Sequence, residues 1–295
     1  ELSKMDGAVI LSKDADRILF ANVELNPNSL IPTLETGIRH RTAERVARQT
    51  DQIVVSISQR RNIISVYYGE LKYIVQQTNH LLTKANQAIQ TLDKYRVSLN
   101  RELVNLSVLE LEDSVNVSDV LKTIKRAEMV LRVADEVERF ILELGNEGRL
   151  LEMQLDELVI NVEKDLRSMI KDYMLDYSDQ KVLEAIKQMA LLSDDSLIVD
   201  ASVAPIIGFS SEAVALDIQV SSRGYRILSK IPRMPLTVTR KLLDHFDDFQ
   251  GIINASTDKL EEVEGIGEVR ARNIVSGIRR FIEQVYQNNP INSSN

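Results

Sequence analysis

Thr36-Gly37-Ile38-Arg39-His40-Arg41-Thr42-Ala43-Glu44 places three basic side chains in a row where a helix begins. The positive end of a helix dipole disfavours a cation there by about 0.3–1 kcal/mol. An anion reverses that sign, because first-turn N–H groups and flanking guanidinium forks together form a phosphate site. The competing reading is a solvated basic helix start. The helix is carried through residues 42–49, a run of helix formers without a breaker. Working outward, residues 8–11 and 18–23 are short apolar runs on either side of a turn at Lys13-Asp14-Ala15-Asp16. Residues 53–57 and 63–68 are β-branched runs that suit a hairpin around Gln59-Arg60-Arg61-Asn62, and Gly69-Glu70 turns into residues 71–75. Residues 1–75 therefore read as a mixed α/β unit.

Directly ahead of the first strand, Asp6-Gly7-Ala8 sets a carboxylate at a turn, with Gly7 able to let backbone approach a ligand closely. One carboxylate beside a polyphosphate is how proteins commonly share a magnesium ion, which keeps waters and takes one or two protein ligands. Alone, an Asp-Gly pair is a turn. Composition narrows the chemistry further. The chain has no Cys, and its only histidines are His40, His80 and His245, which excludes thiol nucleophiles, disulfides, Cys-ligated zinc, iron–sulfur clusters and paired-histidine zinc sites. Carboxylates, hydroxyls, basic groups and a hard cation remain. No apolar run approaches the roughly 20 residues of a bilayer span, and no basic-then-apolar leader opens the chain, so a soluble, cytoplasmic protein without a membrane partner is expected. The first residue is Glu1 rather than an initiator methionine, so upstream residues are expected in the natural gene.

From residue 76 the texture changes, with no proline between Pro32 and Pro205 and no glycine between Gly69 and Gly145. Leu81, Leu82, Ala85, Ile89 and Leu92 recur at helical spacing, as do Met129, Leu131, Val133, Val137, Phe140 and Ile141. Asn116 with Ser118-Asp119 caps a restart, and Gly145-Asn146-Glu147-Gly148 ends the next helix. A helical spine or bundle is expected over residues 76–220, although 179–220 is too broken for elements to be assigned. The net charge of −8 is concentrated here, since residues 76–200 hold 15 basic and 24 acidic groups. A nucleic-acid partner would therefore meet the flanks.

Asp6-Gly7-Ala8, followed about thirty residues on by Gly37 to Glu44, resembles the paired motifs of the diadenylate cyclase family. Within it, the order of spine and C-terminal region is similar to the class that couples the cyclase to DNA. The resemblance implies condensation of two ATP into cyclic di-AMP with loss of two pyrophosphates, dependent on Mg²⁺ or Mn²⁺, between two facing domains of a homo-octamer. It further implies that Asp6 is the metal-linked catalytic carboxylate and that Gly7 lies against the nucleotide. Leu25 matches a position lining the adenine pocket, with plain core as its alternative. Ile38, Arg39, His40, Arg41 and Thr42 would line the triphosphate, Arg39, His40 and Arg41 supplying charge, Thr42 a hydroxyl and Ile38 backbone alone. Ser58 and Arg61 are candidates for pyrophosphate contact. Relatives of that family carry several dozen residues ahead of Asp-Gly-Ala, so this cyclase domain is expected to be partial, with folding and activity in question.

Near the other end, Val263-Glu264-Gly265-Ile266-Gly267-Glu268-Val269-Arg270-Ala271-Arg272 resembles a helix-hairpin-helix, with glycines where backbone N–H groups must point at a phosphate. Residues 225–235 look like a degenerate first copy whose glycines are replaced. Gly265, Gly267, Arg270, Arg272 and Lys259 are the expected DNA-binding residues, without sequence specificity. Glu261, Glu262, Glu264 and Glu268 keep protein contact open as the module's role. Modest affinity per copy points to avidity and to branched DNA as target. The expectation is an α/β cyclase domain over 1–75 that is truncated at its front, an all-α spine over 76–220 and a tandem helix-hairpin-helix domain over 221–286, nucleoid-associated. The rivals are a non-catalytic oligomeric DNA-binding scaffold and an ATP-binding protein without turnover.

Overall fold

The computed structural model describes residues 7–59, 63–232, 234–246 and 248–288. Two compact units, residues 1–84 and 85–295, divide the chain.

In the first unit, β1 (Ala8–Leu11) and β2 (Ile18–Val23) pair antiparallel across a turn that Asp16 braces by accepting from Ser12 Oγ at 2.6 Å. Helix α1 (Ile38–Thr50) starts four residues before the expected run of helix formers and ends at Asp51 in the left-handed region. Strands β3 (Val54–Ser58), β4 (Ile63–Tyr68) and β5 (Leu71–Val75) form a second antiparallel sheet in sequence order. The period of two along β4 turns Ser65 and Tyr67 inward, each about 1% exposed, and α1 packs on β3 and β4. The resulting core is small: Ala43, Ala47 and Tyr67, with Val54 against it.

The second unit is helical. Its first part is the body of α2 (Thr78–Leu111), with Ala85, Ile89, Leu92, Leu99, Leu103 and Leu106 buried, followed by α3 (Val117–Leu144). Asn116 opens α3 as expected, its N–H donating to Asp119 Oδ2 at 3.2 Å, and Gly145 ends it at φ +56°. The buried stripe of α3 runs through Val120, Ile124, Ala127, Val130, Ala134 and Val137, whereas Met129, Leu131 and Val133 are half-buried flanks. Continuous apolar spelling hid the true face. Around α3 pack α4 (Arg149–Val159), α5 (Val162–Tyr173), α6 (Asp179–Leu191), α8 (Asp200–Val203) and α9 (Ser211–Ala215), with α7 (Asp194–Ile198) against α8. Beyond α6 the stretch up to residue 220 offers no helical period to read, because α7, α8 and α9 run five residues or fewer, and α6, α7 and α9 are started by local serine caps, Ser178, Ser193 and Ser210.

The last part begins with α10 (Tyr225–Leu228), α11 (Leu236–His245) and α12 (Phe249–Ile253), then α13 (Thr257–Glu261) and α14 (Glu268–Asn288). Its core joins Leu228, Ile231, Val238 and Leu242 to Leu260, Val263, Ile266, Ala271, Ile274 and Ile278. A Cβ on Gly277 would lie 2.7 Å from Ile231 Cγ2, so that glycine lets α14 close on the first copy.

This part is fastened to the spine by buried charge. Asp172 at the end of α5 accepts backbone N–H bonds from Gly224 (2.8 Å), Tyr225 (2.5 Å) and Arg226 (3.0 Å), capping α10 from another element. The Arg226 guanidinium pairs with Glu110 of α2, both fully buried, and donates to Ser107 Oγ at 3.0 Å. Tyr173 donates to Glu110 at 2.7 Å, and Gln250 reaches the Glu110 carbonyl at 2.7 Å. Burial and the Glu110 charge push the Asp172 carboxyl up to about 7, against the backbone donors and Arg226.

Removing one partner of such a pair leaves an uncompensated buried charge. Glu110→Gln is expected to cost about 3–5 kcal/mol in a urea titration, and Glu110→Leu with Arg226→Met to recover much of it. A raised carboxyl makes the folded state the stronger proton binder between pH 3.8 and about 7. Its contribution is therefore full below that window and lost as pH rises through 7, and Asp172→Asn should remove that part of the pH dependence.

Candidate active site and nucleic-acid interface

Gly37 is the N-cap of α1 and has no side chain to offer the first-turn N–H groups, while its carbonyl accepts from Arg41 N at 2.9 Å. The helix start is thus built without a side-chain cap, as an anion site requires. Helical period sorts the three basic residues. His40, Ala43, Glu44 and Ala47 form the buried face at spacings of three and four, whereas Arg39 and Arg41 are exposed. Thr42 is half-buried and Ile38 is 69% exposed.

His40 therefore turns to the sheet, while Arg39 and Arg41 face outward. Its Nδ1 lies 3.0 Å from the Tyr67 hydroxyl, which donates to Glu35 Oε1 at 3.0 Å. Lys72, opposite Tyr67 in the β4–β5 register, pairs with Glu35. Glu44 accepts from Thr33 and pairs with Arg48 at 2.8 Å, while Arg45 Nε donates to the Ile31 carbonyl at 2.9 Å. These contacts hold the loop that leads into Gly37. Sequence reasoning missed Glu35, Tyr67, Lys72 and Glu44. Their signal was the inward period of β4 together with a carboxylate four residues after His40.

The other expected residues are dispersed over neighbouring elements. A Cβ on Gly7 would lie 2.3 Å from Asn22 Oδ1, so the close approach at this glycine is made by β2 itself. Leu25, just after β2, and Ser58, the last residue of β3, are half-buried. Asp6 and Arg61 lie outside the described residues. Among the described residues no group of three or more His, Asp or Glu side chains could hold a metal ion.

At the C-terminal hairpin, Gly265 has φ +89°, which demands glycine. Gly267 has neither a strained φ nor any atom within 4 Å of an added Cβ, so nothing inside the fold requires it. Open space over both glycines leaves the hairpin accessible from outside. Arg270 braces the Gly265 carbonyl at 2.5 Å, Arg272 pairs with Glu268 one turn away, and Lys241 reaches Glu264 at 2.9 Å. These pairs are exposed and thus weak enough for a phosphate to displace. Lys259, on α13, is exposed. The first copy follows the same frame 32 residues earlier, Leu228, Ile231 and Met234 answering to Leu260, Val263 and Ile266. There Pro235 stands where the second copy has Gly267 and has no N–H to give.

An uncapped, arginine-flanked helix start in one unit and a tandem hairpin module in the other define a nucleotide-binding protein with a nucleic-acid arm. Residues 1–71 match the family model described as DisA bacterial checkpoint controller nucleotide-binding, residues 75–216 its linker region, and residues 225–280 a SAM-like helix-hairpin-helix tandem. The chain is 52% identical over 288 residues to the DNA integrity scanning protein DisA of Acetivibrio thermocellus, covering 97% of this chain and 79% of that protein. It is 50% identical over 289 residues to that of Carboxydothermus hydrogenoformans, covering 96% and 81%. The chain belongs to the DisA family, diadenylate cyclases that carry a helix-hairpin-helix DNA-binding module. Among the described residues no helix is long and apolar enough to cross a membrane.

Arg39→Ala with Arg41→Ala is expected to weaken ATP binding at least tenfold in calorimetry, since a charge-assisted contact contributes about 1.5–3 kcal/mol. Thermal unfolding should stay near wild type because both side chains are exposed. Gly267→Val should likewise spare unfolding while weakening DNA retention in gel-shift assays, the fold having no need of that glycine.

Proposed function

We propose that the chain joins two ATP molecules into cyclic di-AMP, the 3′-hydroxyl of each attacking the α-phosphate of the other with departure of pyrophosphate. The observation that carries this is the uncapped start of α1 at Gly37 with Arg39 and Arg41 exposed beside it. In this reading the first-turn N–H groups and both guanidinium groups hold the triphosphate, and the Thr42 hydroxyl adds a further donor. Charge neutralisation and orientation suffice for such a transfer, which needs no protein nucleophile. Nor does the chain offer a thiol.

Mg²⁺ or Mn²⁺ would be shared between one carboxylate, Asp6, and the nucleotide phosphates, because such an ion keeps waters and takes one or two protein ligands. Such an ion would neutralise phosphate charge and make the 3′-hydroxyl more acidic. Gly7, Leu25, Ile38, Ser58 and Arg61 complete the nucleotide-binding set, with Leu25 at the base and Ser58 and Arg61 toward the pyrophosphate.

Residues 1–75, 76–220 and 221–286 act as cyclase, spine and DNA-binding domains of a homo-octamer. Exposed apolar side chains on the strands, such as Phe20 at 60% and Ile57 at 62%, support assembly through the first unit. One competent hairpin per chain, at Gly265 and Gly267 with Lys259, Arg270 and Arg272 alongside, supports branched DNA as the preferred partner, because several chains must engage together. The protein works in the cytoplasm at the nucleoid.

Incubation with ATP and Mg²⁺ or Mn²⁺ is expected to yield cyclic di-AMP by chromatography, and branched DNA to lower the yield more than linear duplex. Nucleotide binding without product would instead define an ATP-binding protein, and DNA binding without nucleotide binding a scaffold.

A further inference from the structure

His40 is 7% exposed, and its Nε2 is buried without a hydrogen-bond partner. A buried polar atom left unmet is costly, so its setting calls for a reason. The proton inventory of its neighbours supplies one. Partial burial raises the Glu35 carboxyl, but hydrogen bonds from Lys72 and Tyr67 and the Lys72 charge leave it below the usual range. Glu35 is then an anion and accepts only. Burial and Glu35 push the Tyr67 hydroxyl well up, so it keeps its single proton, which is donated to Glu35. The Tyr67 oxygen has only lone pairs left for His40, 3.0 Å away, so the imidazole proton must sit on Nδ1.

That leaves Nε2 bare, or protonated only in the cation. The ring edge beside it faces the helix start, since a Cβ on Gly37 would lie 3.6 Å from Cδ2. A cation in the first turn of α1 is disfavoured by the dipole unless an anion sits at the same end. Resting on the nucleotide reading above, we infer that Glu35 and Tyr67, steadied by Lys72, are positioning residues that hold the Nδ1 proton of His40 against the Tyr67 oxygen, so that Nε2 takes a proton from solvent and donates it to a nucleotide phosphate once that anion is bound. His40 would then meet the phosphate from beneath the helix start, while Arg39 and Arg41 approach from the exposed side.

The test is ¹⁵N NMR of the imidazoles in the full chain. His80 and His245 are exposed and serve as internal references, and loss of a signal in His40→Asn assigns the third. The expected result is the Nδ1–H pattern for His40 in the unmutated protein. In Tyr67→Phe, which keeps the ring and its packing, it should shift toward Nε2–H, and Glu35→Gln, whose amide can present either face to Tyr67, should give a mixture. Affinity for a non-hydrolysable ATP analogue should fall about tenfold in Tyr67→Phe. An Nε2–H pattern in the unmutated protein, or one unchanged by Tyr67→Phe, overturns the relay. A changed pattern with unaltered analogue affinity overturns its link to the nucleotide. Failure of the unmutated protein to bind the analogue overturns the nucleotide reading itself, and is distinguishable because the tautomer is read without ligand.

Discussion

The Arg226–Glu110 pair is a cation and an anion with no access to water, and the second unit is arranged around keeping them together. Desolvating each ion costs several kcal/mol, and mutual attraction offsets this only when remaining donors and acceptors are met. That condition is met in part: Ser107 joins Glu110 on one guanidinium nitrogen, Tyr173 donates to the carboxylate and Gln250 to the Glu110 carbonyl, while Nε and Nη1 of Arg226 are buried without a partner among the described residues. Asp172 brings a further negative charge into the same space because it must cap α10. Since Glu110 lies on α2, Asp172 on α5 and Arg226 on α10, one electrostatic knot fixes three segments far apart in the chain. Apolar packing at that junction would hold the helices together, yet only directional bonds fix the entry angle of α10. Through it, the hairpin module is seated on the spine rather than tethered to it.

The first unit follows another logic. Among the described residues its apolar cluster joins only Ala43, Ala47 and Tyr67, and polar links do what packing does elsewhere: Glu44 gathers Thr33 and Arg48, and Glu35 gathers Tyr67 and Lys72. These links act on the loop before α1 and on the helix start, the places where an anion would be received. Large side chains such as Leu34, 95% exposed, and Leu71, 72% exposed, lie uncovered. Precision at the helix start is obtained from hydrogen bonds in a unit with little apolar interior.

Short-range sequence patterns are enough to mark the strands of the first unit, the α3 cap at Asn116 and the hairpin glycines, because each depends on residues within a few positions of one another. What escaped notice depends on partners far along the chain. Arg226 reads as an ordinary surface arginine until Glu110, 116 residues earlier, is beside it. His40 reads as one of three basic neighbours, although a helix turns 100° per residue and sets it on the buried face while Arg39 and Arg41 stay exposed. The stripe of α3 was misplaced by a residue because Met129, Val130 and Leu131 are all apolar and only packing against α4 and α5 separates them.

The two hairpin copies carry a record of division of labour. A duplication first yields two equal hairpins, each obliged to present amides outward. Here Ile231 of the earlier copy fills the notch at Gly277 of α14, and Pro235 has given up its amide. Once one copy is committed to buttressing, its outward face is released from selection for ligand contact and its inward face is bound to its sister. Glycine consequently has opposite meanings within ten residues of α14 and its approach: Gly277 serves the interior and Gly267 the exterior. Drift at the first would be purged as misfolding, and at the second as loss of partner, so lineages that abandon DNA should keep the one and lose the other.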